Sequence, residues 1–542
     1  MNIQYWIFDI LGGSHEVPYS CARRPPLLGR VPVSRAPSQN TVSRLSVTII
    51  DDATGEPTPV RVRLTDASGA SAPLPEAAIA IMWGPNDQAF GYGFQPDSSF
   101  YVDGVFDVEL QPGTYHMSLA KGQEYLRQQH EINVGPGDRS ETFRLQRWIN
   151  MPERGWYSAD DHIHLRRSPR ENPLILKWVA AEDIHVGALL QMGDFWATYF
   201  AQYAWGKDGV YQVEDFFLTS GQEEPRTHEI GHTISLAADG FVRARPDYYH
   251  YDDVFDRVNE LGGVSGYAHQ AVLFHGYRGM TLDVLRNKVD FVELLQFCTT
   301  KEPLHLEHYY HFLDLGFKLT ATAGSDFPWC GTGPNWNPRI GDARFYTFLG
   351  DDFSFESWRL ALHAGHTFVS SGPVIDLKVN DRIPGEELDV AAGSSVTVTA
   401  TAIGHADQVP LRQLEIVAHG KVVATVTPDE SGQTTEQLSV ALDLPIERGV
   451  WIAARAWAGP QQAAHTTPVY VTVGEGGFYN PATALRNLEL SEGYLAELEQ
   501  EIAQPNQTLN QHAWRFREGI EERIAETRER IAVLRSEFTA RR

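Results

Sequence analysis

"SADDHIHLRR", residues 158–167, places two carboxylates and two histidines within the five positions Asp160 to His164. In a strand, residues i and i+2 face the same side, so His162 and His164 present two imidazoles to one point in space. Taken alone, the pair has a plain alternative as a polar turn, because a chain with 20 histidines will set two of them two apart by chance. The flanking chain decides. Between about 151 and 372, apolar runs alternate with segments of helical periodicity. The strand segments are "HVGALLQMGDF", "GHTISLAA", "GGVSGYAHQ", "VDFVELLQF" and "FKLTATAGSDF"; the helical ones include "YDDVFDRVNEL", "LHLEHYYHFLDLG" and "SFESWRLALHAG". Strands apolar on both faces with helices between them predict a parallel β/α barrel. Nearly every run ends in Asp or His, at the strand end where barrel enzymes keep their chemistry.

Outward from this core the period changes. Residues 1–40 read as an irregular lead-in. From 41 to 150 the alternation is twofold (Leu45, Val47, Ile49, then Val60, Val62, Leu64) around the turn "DDATGEPTP", which predicts a β-sandwich. Residues 373–475 return to twofold alternation (Val396, Val398; Leu414, Ile416; Val469, Val471, Val473) and predict a second sandwich. In 476–542 two apolar stripes, Leu488, Leu495, Ile502 and Ile520, Ile524, Ile531, Leu534, Phe538, predict an αα-hairpin that packs on the body or joins two copies of the chain as a homo-oligomer. The expected fold class is therefore multidomain: a β/α barrel flanked by two β-sandwiches, with a helical tail.

Composition narrows the function. Forty-five basic against 70 acidic residues give a net charge of −25, which repels a phosphate backbone and argues against nucleic acid as a partner. The three cysteines, Cys21, Cys298 and Cys330, form no Cys-x-x-Cys, so any metal must be held by His and carboxylate. Asp9 interrupts the N-terminal apolar run and no basic residue precedes it, so no secretory signal is expected; no run reaches the roughly 18–20 apolar residues of a membrane span. The expectation is a cytoplasmic enzyme acting on a small molecule, with no membrane partner.

The polar strand ends gather His162, His164, Asp194, Glu223, His232, His269 and Asp326. These nitrogen and oxygen donors suit Zn, Mn or Fe. Each has a structural alternative: His232 and His269 as buried core histidines, Asp194 and Asp326 as caps, Glu224 as a surface residue.

The order Asp-x-His-x-His, Gly-x-Glu, Gly-His, strand-end His and Gly-Ser-Asp resembles the PHP (polymerase and histidinol phosphatase) superfamily. "GWYSADDHIH" after a β-domain, "HAGHTFVSSGP" and "AHTTPVYV" resemble its carbaryl-hydrolase-like branch, over roughly residues 41–475. The resemblance implies a distorted PHP-type barrel and a binuclear site. His162, His164 and Asp326 would ligate one divalent ion, and Glu223 would bridge to a second held by His232 and His269. Gly221-x-Glu223 favours Glu223 as the bridge, with Glu224 its alternative. Asp160 would orient a ligand imidazole through its free ring nitrogen, with Asp194 a further supporting residue.

Phosphatase members of that superfamily carry a third metal on extra histidines. Here Phe195, and Phe327 with Pro328, stand in two of those places, and "LRRSPREN" after His164 supplies no third histidine. Two aromatic loops, "FWATYFAQYAW" and "FPWCGTGPNW", stand at the expected mouth. They nominate Phe195, Trp196, Phe327 and Trp329 as lining for an apolar or aromatic substrate, the alternative being that they close a core or a subunit contact, with Arg166 either holding a substrate carboxylate or solvated. Arg167 and Arg170 share that option, and His275, His308 and His311 are either pocket acids or surface residues. Two divalent ions can share a water whose pKa falls from about 15.7 towards roughly 7. Asp326 and Glu223 are then the catalytic carboxylates, Asp326 taking the proton. The expected activity is hydrolysis of an ester, carbamate or amide; the rivals are a phosphoesterase, diester before monoester, and a non-catalytic metal-containing binding protein.

Overall fold

In the strand Ser43–Asp51, Leu45, Val47 and Ile49 are buried while alternate residues face outward. The computed structural model describes residues 42–81, 93–95, 97–244, 246–269, 274–295, 304–328, 338–428, 433–504 and 512–541; residues 1–40 and Trp329 lie outside the described residues. Ser43–Asp51 pairs antiparallel with Val105–Leu110 and parallel with Arg139–Leu145. A second sheet runs Phe100–Asp103, Pro59–Asp66, Gly113–Ala120, Gln128–Val134. The two sheets enclose one core of Leu45, Val47, Ile49, Val60, Val62, Leu64 and Met117, the sandwich expected from the alternation.

The middle of the chain builds a curled sheet. Trp156–Ile163, buried along its whole length, lies parallel to Val186–Gly193, which lies parallel to Phe216–Glu223. Val264–Tyr267, Phe291–Leu295 and Thr320–Ala323 are parallel to one another. The sheet is not uniformly parallel, however. Gly231–Leu236, from the segment "GHTISLAA", runs antiparallel to both Phe216–Glu223 and Val264–Tyr267. Residues 224–230 are too few for a crossover, which takes a dozen or more, so the chain can return only as a hairpin. The ends of the curl meet at an isolated parallel bridge between Ile163 and Phe327, where the His164 N–H donates to the Phe327 carbonyl at 2.7 Å.

Helices Asn172–Ala181, Tyr251–Glu260, Gly276–Leu285, Glu307–Leu313 and Phe355–Ala364 connect these strands. Phe355–Ala364 shows why the sequence stops and starts where it does: the Ser354 hydroxyl accepts the Ser357 N–H at 3.2 Å, and Gly365 closes the helix at φ 72°. Beyond the curl, Arg344–Phe348 pairs with Trp156–Ile163, Thr367–Ser370 follows it, and Ala463–Thr466 pairs with Thr367–Ser370, so hydrogen bonding runs on into residues 373–475. A separate three-stranded sheet, Val374–Val379, Ser394–Ile403, Gln437–Ile446, closes a core of Val396, Val398, Leu414, Ile416, Val469 and Val471.

Helices Ala484–Ile502 and Arg517–Ala540 bury Leu488, Leu495, Leu498, Ile502, Ile520, Ile524, Ile531, Leu534 and Phe538. These side chains join the core of the central sheet, so the stripe that could have met a second copy is covered by its own chain. Ion pairs Arg278–Glu497 and Arg523–Asp252 fix the docking. Among the described residues no helix is long and apolar enough to cross a membrane.

Candidate metal centre

Four strand ends and one hairpin deliver the donors: Trp156–Ile163 brings His162 and His164, Phe216–Glu223 ends in Glu223, His269 and Asp326 follow Val264–Tyr267 and Thr320–Ala323, and His232 lies in the hairpin of Arg226–Thr227 with Gly231–Leu236. The register of Trp156–Ile163 shifts between Asp160 and Ile163, a bulge that re-aims the strand as it reaches the histidines. The His162 and His164 rings then stand 5.0 Å apart, nearly perpendicular. Opposite them, Asp326 adopts φ 55° and His269 φ 32°, left-handed backbone that a non-glycine residue holds only when its surroundings impose it. Gly324 is needed for the close approach, since a Cβ there would come within 2.4 Å of the His162 Cβ.

The side chains converge. Asp326 Oδ1 lies 3.3 Å from His162 Nε2 and 3.1 Å from His164 Nε2. Glu223 Oε2 lies 3.4 Å from His164 Nε2, while its Oε1 lies 2.9 Å from His232 Nδ1 and 4.0 Å from His269 Nε2. Ligand atoms of His162, His164 and Glu223 fall within 4.8 Å of one another, as do those of Glu223, His232 and His269. Both groups are buried and could hold a metal ion. Separations of 3.1 to 3.4 Å match the roughly 3.4 Å edge of a tetrahedron with bonds of about 2.1 Å. His162 Nε2 is buried without a hydrogen bond, as a ligand atom would be.

Electrostatics divide the donors. Burial opposes charge on His162, yet Asp326 and Glu293 hold its imidazole well above the usual range. Burial, then Arg226, pushes His232 down to about 4; burial, then His232, pushes His269 down to about 3. Both are neutral at pH 7 and ready to ligate. Against burial, Arg226 and His232 hold the Glu223 carboxyl well below the carboxylate range, and His162 and His164 lower that of Asp326.

The sequence left Glu223 and Glu224 open, and the geometry separates them. Glu223 faces the imidazoles, whereas Glu224 turns to Arg243 at 2.7 Å, and burial pushes its carboxyl up to about 8. Asp160 does not orient an imidazole. Its carboxylate accepts the backbone N–H groups of His162 (3.0 Å), Ser325 (3.0 Å) and Gly341 (2.7 Å), tying the His162 strand to the Asp326 loop, and burial pushes it up to about 6. Glu293 takes the orienting role. Its Oε1 lies 3.1 Å from His162 Nδ1, and its Oε2 accepts the His269 N–H at 2.7 Å. Glu293 is the one charge within the strand Phe291–Leu295 of "VDFVELLQF", and that was the signal for it, since buried strands rarely carry a lone charge.

Other expected positions divide. Asp194 caps a turn, accepting the Trp196 and Ala197 N–H groups at 2.7 and 2.8 Å, and so shapes the aromatic loop instead of a ligand. Phe195 packs under the tail, its ring 5.8 Å from Tyr248 and 5.7 Å from Phe516, while Trp196 is exposed. Phe327 belongs to the core: its backbone bridges Ile163, which turns its ring down onto Trp178. Arg166 is half-exposed and reaches Glu171 at 3.8 Å; Arg170 is exposed. Arg167 is buried on the Gly209 carbonyl (2.7 Å) and the Ser220 hydroxyl (2.6 Å), a structural role. His275 contacts the His228 carbonyl, His308 stacks on Tyr277, and His311 bonds Ser491 of the tail. The aromatic rings against the donors are Phe200, 5.4 Å from His164, and Phe274, stacked on His232 at 4.0 Å. Phe274 and Arg226 escaped the sequence reading, because nothing in their spacing marks them.

No protein-family profile and no curated protein matches this chain. Among solved structures, a streptococcal ancillary pilin is 15% identical over 23% of this chain and 38% of its own length, with a TM-score of 0.15. Fibronectin(III)-like modules of CbhA from Clostridium thermocellum are 14% identical over 18% of this chain and 93% of theirs, with a TM-score of 0.13. A DUF3823 family protein from Bacteroides ovatus is 6% identical over 79% and 98%, with a TM-score of 0.13. At these TM-scores none bears on the site.

Proposed function

We propose that the chain is a metal-dependent hydrolase of PHP type, with the curled sheet as its catalytic barrel, cleaving an ester, carbamate or amide of a small molecule. The observation that carries this is Glu223, whose two oxygens face two different imidazole groups and so unite them into one centre. His162, His164 and Asp326 would hold one divalent ion and His232 and His269 a second, Glu223 bridging. Two ions so held would supply a water acidified to a pKa of roughly 7 and a Lewis acid for the scissile carbonyl.

The chain's own residues do the rest. Glu293 fixes the His162 ring through Nδ1, which leaves Nε2 for the ion. Asp326, whose Oδ1 lies between two imidazoles, would accept the proton released on attack. Phe200 and Phe274 flank the donors and offer apolar contact to the substrate.

The test is metal analysis of the purified full chain, then a screen of aryl esters, carbamates, amides and phosphodiesters after metal loading. His162→Ala and Asp326→Ala are expected to lose bound metal and at least about 100-fold of any activity found. Full activity in either variant refutes the site, and turnover of phosphodiesters alone replaces the carbonyl reading with the phosphoesterase one.

A further inference from the structure

One cation stands among the donors without a place in that scheme. Arg226 is directly cross-strand from His232 in the hairpin of Arg226–Thr227 and Gly231–Leu236, so the two side chains share a face. Its Nε lies 3.5 Å from Glu223 Oε1, too far for a good hydrogen bond, on an oxygen that already meets His232 at 2.9 Å. Among the described residues Glu223 is the one carboxylate within 4 Å of Arg226, and the side chain is 24% exposed. The neighbouring Arg243 is engaged differently, with Nη1 on Glu224 at 2.7 Å and Nη2 on the Asp194 carbonyl at 2.6 Å.

An arginine beside a bridging carboxylate is costly in a metal centre. It repels the ions that the carboxylate is there to bind, in a buried place where charge interactions are weakly screened. Neutralising Glu223 does not explain it, because bound ions would do that. Nor does local charge balance: four imidazoles and three carboxylates, Glu223, Asp326 and the Glu293 on His162, leave two divalent ions with excess positive charge before Arg226 is counted. An anion entering the site removes the repulsion, and a guanidinium offers five N–H donors in a planar fork that fits an oxyanion.

We propose that Arg226 is the specificity residue of this centre, selecting substrates that carry an oxyanion, a carboxylate or a phosphoryl group, next to the scissile bond. The inference rests on the metal-centre reading above. With Phe200 against His164 and Phe274 stacked on His232, the favoured substrate is an aryl or apolar compound bearing that anion. This differs from the sequence expectation, which gave the anion to Arg166.

The experiment measures binding instead of turnover. Full-length wild type, Arg226→Met and Arg226→Lys are loaded with Zn or Mn, their metal content is measured, and benzoate, inorganic phosphate and neutral benzamide are titrated calorimetrically. Expected are equal metal content and oxyanion binding that weakens at least tenfold in Arg226→Met and less in Arg226→Lys, with benzamide unaffected. Benzoate responding identifies a carboxylate, phosphate alone a phosphoryl group. Should Arg226→Met hold less metal, Arg226→Lys carries the comparison through its loss of the planar fork. Oxyanion affinity indifferent to position 226 at equal metal content overturns the proposal while leaving the centre intact. Wild type that takes up no divalent ion overturns the centre itself, and the proposal with it.

Discussion

Replacing Glu293 by glutamine keeps its shape and removes one acceptor, which makes the orienting role measurable. In the wild type both carboxylate oxygens accept: Oε1 faces His162 Nδ1 at 3.1 Å and Oε2 takes the His269 N–H at 2.7 Å. An amide can satisfy only one. With its oxygen on the His269 N–H, its NH2 meets His162 Nδ1, which must then accept; the ring proton moves to Nε2, the atom facing Asp326. With the amide reversed, NH2 opposes the His269 N–H and strains a backbone already at φ 32°. Either way one ligand is misplaced. Loss of such a partner costs about 10- to 100-fold in metal affinity, or roughly 1.4 to 2.7 kcal/mol. Competitive titration against a chromogenic chelator reads this directly, with thermal denaturation of the metal-free forms as the control for folding. Glu293→Gln binding metal as tightly as wild type would refute the reasoning.

Two further perturbations test how the frame holds the site. Arg147 pairs with Asp183 through two bonds of 2.7 Å and with Glu124 at 3.0 Å, locking the N-terminal sandwich to the central sheet. Arg147→Ala strands the fully buried Asp183 carboxylate and should cost about 3 to 5 kcal/mol in urea denaturation; a loss below about 1 kcal/mol would show that the pair holds little. The same carboxyl, depressed to about 2 against burial by Arg147, contributes stability that is present above pH 3.8 and lost as pH falls through about 2. Glu229 lies under the tail, 3.0 Å from the Tyr249 hydroxyl, which in turn accepts the His512 N–H at 3.1 Å. Burial pushes its carboxyl from 4.5 up to about 7, so the folded chain holds a proton that the unfolded one releases. Its contribution is complete below pH 4.5 and fades as pH rises through 7, by up to about 3 kcal/mol. Glu229→Gln should lack that slope, and denaturation curves of the two proteins that stay parallel from pH 4.5 to 7.5 would contradict it.

His162 and His164 were legible because strand periodicity alone puts them on one side, whatever the rest of the sheet does. Their supports were not. Asp160 shares their stretch and so reads as an imidazole partner, but the bulge after it turns its carboxylate onto three backbone N–H groups. Glu293 stands 131 positions from His162, and only the parallel pairing of Val264–Tyr267 with Phe291–Leu295 brings it beside His269. The reversed strand could have been read: seven residues between Glu223 and Gly231 leave no room for a crossover.

Glu223 against Glu224 marks the limit of what a linear pattern decides. Consecutive strand residues face opposite sides, so one glutamate must point at the ligands and the other away, and slipping the register by one exchanges them. The register is set by pairs such as Gly221 with Leu190 and Glu223 with Met192. It is held where a Cβ on Gly221 would come within 2.6 Å of the Leu190 side chain. A substitution at Gly221 therefore perturbs the centre without touching a ligand: it pushes the strand from its partner and with it the oxygens of Glu223 from His164 and His232. The glycine of Gly-x-Glu is thus as much a part of the proposed metal centre as the carboxylate it precedes.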